Sequence, residues 1–271
     1  FGSRLAAQMA LVQALAECCL LVSEDPDAGG NEIVALFHGE DGDPTDGVAS
    51  QHAGLFVNHK VQQWELDVGG ESLLFQQTPG DLRHAGVTGC VVWNGAVVLA
   101  AALEKFQEEG LLDVGGLKVL ELGSGAGALS CAMSALGAEV TATEQSERLR
   151  LLTRNVESNG SGSDPVVVGS RGGCVHVKEL DWFDSSTYEC SDRYDLILAT
   201  DVVYNEPVTE QFVMALKAVS LQSRAPCLVS VELRTQEIHM LFVDKLVESE
   251  ARVWRVPQNL HHQSFSTPRV V

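Results

Sequence analysis

Four carboxylates of this chain stand at the ends of apolar runs. "VLELGSGAGALS" (119–130) carries Glu121 just ahead of Gly123, Gly125 and Gly127, and "EVTATEQ" runs out at Glu144. "VHVKELDW" ends on Asp181 and Trp182, and "YDLILATDVVY" (194–204) ends on Asp201, with Tyr204 three residues on. A carboxylate at the mouth of a buried strand is costly unless it is paired or used. In such places it can accept hydrogen bonds from ligand hydroxyls, or hold an amine by ion-dipole attraction.

The glycines narrow the chemistry. Each loses more backbone freedom on folding than any other residue, so three at alternate positions imply that something approaches that backbone closely. Gly123 permits a tight exit from a strand, Gly125 removes a side chain where a ligand must approach, and Gly127 lets the next helix start close to the sheet. The spacing is GxGxG, not the GxGxxG that sets a helix N-terminus against a pyrophosphate, so a dinucleotide oxidoreductase is disfavoured. A GxGxG after an acidic residue suits a ligand without phosphate, and S-adenosylmethionine has that character. A turn that binds nothing is the alternative.

Each further residue has a binding role and a plainer one. Glu144 lies about 20 residues past the first glycine, where an acidic side chain accepts both ribose hydroxyls of an adenosine; it can instead cap a helix starting at Ser146. Asp181 can accept from the adenine amino group while Trp182 supplies apolar wall or simply fills core. Asp201 can align a substrate amine with Tyr204 lining the access channel, or it can cap the helix near Glu206.

A regular alternation must position these residues. From Leu117 the order is strand "KVLEL", helix "ALSCAMSAL", strand "EVTAT", helix "SERLRLLTRNVESN", strand "VHVKEL" and strand "YDLILAT". Helix "EQFVMALKAVS", strand "CLVSVEL", helix "EIHMLFVDKLVES" and strand "RVWRV" follow. Short apolar strands alternating with helices predict an α/β fold, a doubly wound and mostly parallel seven-stranded sheet. The final "RVV" is expected to pair antiparallel with 252–256. Upstream, "GCVVWNGAVVLAAALEKF" predicts a helix from 89, "WELDVGGESLLFQQ" a β-hairpin, and Leu5, Met9, Val12 and Cys19 an amphipathic helix. Loops surround a short "IVALF" strand. The expected division is an N-terminal extension over 1–87 packed on a core domain over 88–271.

Composition excludes some partners. A formal charge of −19, from 18 Lys and Arg against 37 Asp and Glu, disfavours a nucleic-acid backbone, whose binding rests on cationic neutralisation. It suits a basic partner or plain solubility. The run 9–22 is too short to span a bilayer, so no membrane partner is expected. Seven scattered cysteines without a CxxC pair or neighbouring histidines at zinc spacing predict no metal site and reduced thiols in an intracellular protein. Cytoplasm is the expected compartment, with the nucleus left open, as is an organelle address upstream of Phe1.

Taken in order, "TGCVVWNGAVVLA", "VLELGSGAGALS", "VTATEQ", "LDW", "LILATDVVY" and "VELR" resemble the seven-β-strand (class I) protein lysine methyltransferases grouped as methyltransferase family 16. The resemblance runs from about 88 to 234 and implies S-adenosylmethionine as cofactor, with S-adenosylhomocysteine as product. It implies a cofactor site at Trp93, Glu121, Gly123, Gly125 and Glu144, and a DxxY motif at Asp201 and Tyr204. Glu144 stands where family members carry Asp. The implied activity is N-methylation of a lysine in a protein substrate, of basic character or among the chaperones, translation factors and ATPases that members modify, by a monomeric enzyme. A small molecule or a His or Arg side chain as acceptor, and a non-catalytic cofactor-fold protein, remain the alternatives.

Overall fold

The computed structural model describes residues 20–21, 32–36, 56–84, 87–188, 192–256, 260–265 and 270. Strands β1 (Leu20–Leu21) and β2 (Glu32–Leu36) precede a hairpin of β3 (Gln63–Val68) and β4 (Glu71–Gln76). Helix α1 (Asn94–Glu108) leads into β5 (Lys118–Leu122), α2 (Ala128–Ala135), β6 (Glu139–Glu144) and α3 (Leu149–Ser158). Then come β7 (Gly160–Ser161), β8 (Val166–Val168), β9 (Cys174–Glu179) and β10 (Leu196–Thr200). The last elements are α4 (Glu206–Ser223), β11 (Cys227–Ser230), α5 (Gln236–Glu248) and β12 (Arg252–Arg255).

The main sheet runs β1-β12-β2-β11-β10-β5-β6-β9-β8-β7. Its seven central strands, from β12 to β9, are all parallel, while β1, β8 and β7 add short antiparallel edges. Alternation along the strands builds a core on each face, as period-two side chains must. Val119, Val140, Leu196, Leu198 and Leu228 face Leu103 and Phe106 of α1, Leu129 and Met133 of α2, and Leu152 and Val156 of α3. Leu120, Leu122, Ile197, Ala199 and Val229 face Phe212 and Leu216 of α4 and Phe242 and Leu246 of α5. The sheet is therefore doubly wound, and its order reverses between β10 and β5.

The hairpin turns on Gly69 and Gly70, at φ +64° and +84°, the pair of positive values that a tight two-residue connection needs. Leu66, Val68, Leu73 and Phe75 bury its inner face against the core, each worth about 1.5–3 kcal/mol relative to exposure. Its outer edge is covered by α3. Asn155 accepts from Gln76 N at 2.8 Å and donates to Gln76 O, while Asn159 accepts from Leu74 N and donates to Leu74 O. Asn155 Nδ2 also donates to Ala126 O at 2.8 Å, which ties the hairpin to the glycine turn.

Two sequence expectations need correction. The helix predicted from 89 starts at Asn94, because the preceding backbone is bonded elsewhere: Thr78 N donates to Cys90 O, and Val92 N to Gln77 Oε1. The chain end does not pair with 252–256. Both sides of β12 are taken, by β1 and β2, and Val270 instead forms an antiparallel bridge with Glu232. The short strand expected at "IVALF" is β2, which inserts into the main sheet with Val34 beside Leu228 on one side and Trp254 on the other. The amphipathic helix expected over 5–19 lies outside the described residues.

Candidate functional site

The glycine turn follows β5 at the point where strand order reverses, the place where an open parallel sheet binds ligands. Gly123, Gly125 and Gly127 all adopt positive φ, at +74°, +52° and +87°, which glycine alone accepts without strain. Ser124 fastens the turn to β6: its N donates to Thr143 O at 2.8 Å, and its Oγ accepts from Thr143 N at 3.0 Å. A Cβ on Gly127 would lie 2.8 Å from Leu152 Cδ1, so this glycine serves helix packing. At Gly125 a Cβ would make ordinary contact with the Gly89 backbone, the nearest atom being Gly89 Cα at 3.5 Å.

Two acids support the cradle from below. Glu121 is fully buried and accepts a short hydrogen bond from Ser130 Oγ; burial pushes its pKa up to about 7 against the opposing pull of Ser130 and Ser124. Glu144 accepts from Gly125 N at 3.1 Å through Oε2 and from Gln145 N at 3.0 Å through Oε1. Its pKa is also raised by burial, with those two amides opposing. It does not cap the following helix, whose N-cap is Arg148. Two of its four acceptor positions remain for a ligand.

At the end of β9, Asp181 Oδ1 accepts from Phe183 N at 3.0 Å and from Gln145 Nε2 at 3.2 Å. Gln145 thus links the carboxylates that end β6 and β9. Trp182 packs its ring 5.1 Å from Phe212, and its Cζ2 lies 3.0 Å from the place of a Gly123 Cβ. The indole is a wall of the glycine turn, rooted in the core.

Asp201 has partners that neither sequence reading foresaw. Its carboxylate is buried at φ +54°, with Oδ2 accepting from Gly95 N at 2.7 Å and Oδ1 from Glu232 N at 2.9 Å. The α4 cap is Asn205, which accepts from Val208 N; Asp201 instead holds the N-terminus of α1 against the end of β11. Burial raises its pKa to about 6, while the Glu232 amide, Arg234 and the Gly95 amide oppose the rise. Trp93, the N-cap of α1, donates from Nε1 to Thr88 O at 2.9 Å and carries the Arg234 guanidinium 4.5 Å from its ring centroid.

Tyr204 lines a narrow crevice beside this cluster, together with Glu232, Arg234, Thr235, Ile238 and His239. The structure therefore gathers Glu121, Gly123, Gly125, Glu144, Asp181 and Trp182 around one turn, and Trp93, Asp201 and Tyr204 around its neighbour. Gly89, Gly95, Gln145 and Arg234 were missed. Gly95 left a trace, a glycine at the second position of a helix, where its low propensity calls for a reason. Among the described residues no group of three or more His, Cys, Asp or Glu side chains is placed to hold a metal.

A family model described as lysine methyltransferase matches residues 80–249. Over 140 residues the chain is 36% identical to protein N-lysine methyltransferase METTL21A of Danio rerio, covering 52% of this chain and 59% of that protein. It is 37% identical over 127 residues to METTL21A of Mus musculus, covering 46% and 52%. It is 34% identical over 183 residues to EEF1A lysine methyltransferase 3 of Xenopus tropicalis, covering 67% of each. The matches span little more than half the length of the first two relatives.

Proposed function

The chain belongs to the lysine methyltransferase family, and from that premise we propose that it transfers the methyl group of S-adenosylmethionine to lysine side chains of a protein. The observation that carries this reading is the pair of adjoining sites: a glycine turn flanked by the carboxylates of Glu121 and Glu144, and beside it the buried Asp201 carboxylate, with Tyr204 in the wall of the neighbouring crevice. The residues fit the donor. Gly125 carries no side chain to meet it, Glu144 keeps two acceptor positions for the ribose hydroxyls, and Asp181 and Trp182 offer an acceptor and a wall for the adenine.

When bound, the donor supplies a methyl group on a sulfonium, which an amine lone pair displaces in line, leaving a neutral thioether. The protein's part is chiefly alignment, since holding donor and acceptor in reacting geometry removes most of the entropic barrier. Asp201 suits this task because its two backbone hydrogen bonds fix it. It orients the amine first and accepts a proton second. A basic region on the substrate would complement the charge of −19.

Calorimetric titration with S-adenosylmethionine and with NAD tests the cradle. Binding of the first and none of the second is the expected outcome, and the reverse would remove the reading.

A further inference from the structure

The crevice poses an electrostatic problem. A lysine amine is normally protonated, with a reference pKa of about 10.4, and only its neutral form attacks. Glu232 stands in the crevice wall, and the Asp201 carboxylate accepts from the Glu232 amide; both carboxylates favour the protonated amine. Of the two histidines nearby, His239 on α5 and His59 across the Trp93 ring at 4.7 Å, each has its pKa lowered, chiefly by burial, so neither supplies a dependable positive charge. Arg234 is the remaining charged group among the described lining residues. It is permanently cationic, it is held over the Trp93 indole, and no carboxylate of the described residues lies within ion-pair distance of it.

We propose that Arg234 is the fixed cation that keeps the target amine neutral in the crevice, with Trp93 as its platform. This rests on the reading of the protein as a lysine methyltransferase. A like charge beside an amine lowers its pKa, and the guanidinium stands over the Trp93 ring. Burial raises the pKa of Asp201 and lowers that of His59, and the Arg234 charge opposes the first shift and adds to the second.

The test is the pH dependence of methyl-lysine formation in a hypomethylated protein extract with tritiated S-adenosylmethionine, at limiting acceptor. Wild type, Arg234→Met and Arg234→Lys are compared between about pH 6 and 10. Arg234→Met should move the rising limb up by about one pH unit, a tenfold loss at neutral pH that vanishes at high pH. Arg234→Lys should keep the limb near the wild-type position. A loss equal at every pH, or a lysine variant that behaves like methionine, would overturn the inference. By NMR, His59 should titrate higher in Arg234→Met than in wild type; an unmoved His59 would show that the field does not cross the ring. Wild-type protein that forms no methyl-lysine at all would defeat the function itself and this inference with it.

Discussion

Asp201 and Gly95 are 106 residues apart in sequence and joined by a 2.7 Å hydrogen bond from the Gly95 amide to the Asp201 carboxylate. A Cβ on Gly95 would lie 2.5 Å from the oxygen that accepts it. Glycine at the start of α1 is thus the condition for Asp201 to reach the helix end, and the contact places Trp93 and the DxxY loop side by side.

Gly95→Ala should therefore destabilise the protein even though alanine is the better helix former by about 1 kcal/mol. The clash costs about 1–3 kcal/mol, and the lost bond to a charged acceptor about 1.5–3 kcal/mol more. The net loss is about 2 kcal/mol or more, read as a lower denaturation midpoint. An unchanged or raised midpoint would show that the carboxylate moves aside freely.

Glu121 makes stability depend on pH. Its folded pKa of about 7 stands above the ordinary 4.5, so the folded state binds a proton that the unfolded state releases. That contribution is fully present below pH 4.5 and is lost as pH rises through about 7, a swing on the order of 3 kcal/mol. Glu121→Gln has no proton to lose. Its stability relative to wild type should rise across that window in chemical denaturation, and a difference that stays flat with pH would contradict the buried-acid account.

Glu144→Gln tests the cradle. An amide keeps one acceptor oxygen and turns an NH2 toward either Gly125 N or Gln145 N, both of which now donate to the carboxylate. The fixed turn and the charged acceptor for the ribose should both suffer. Affinity for S-adenosylmethionine should fall roughly ten- to a hundredfold, the worth of a hydrogen bond to a charged group. Calorimetry on a variant with an intact melting transition checks it, and a loss under about threefold would place the ribose elsewhere.

What the sequence made legible was whatever periodicity or residue type encodes. Apolar runs such as "LILAT" and "CLVS" showed the parallel strands, and Gly123, Gly125 and Gly127 showed the turn. The acids at the strand ends were visible because a carboxylate closing an apolar run is unusual. The place of β2 was not visible, since nothing in "IVALF" names β11 and β12 as its neighbours. Asp201 is the sharper case. Both of its partners are backbone amides, of Gly95 and Glu232, and an amide carries no residue code. Arg234 was overlooked for a similar reason, because its platform Trp93 lies on another element and no short-range pattern joins the two.

The most direct measurement is mass spectrometry of a hypomethylated protein extract incubated with the protein and S-adenosylmethionine carrying a trideuterated methyl group. The account predicts the heavy methyl on the ε-nitrogen of lysine in one or a few proteins, and its loss with Asp201→Ala at nearly unchanged cofactor affinity. Heavy methyl found on a metabolite, or on histidine or arginine, with none on any lysine would contradict it.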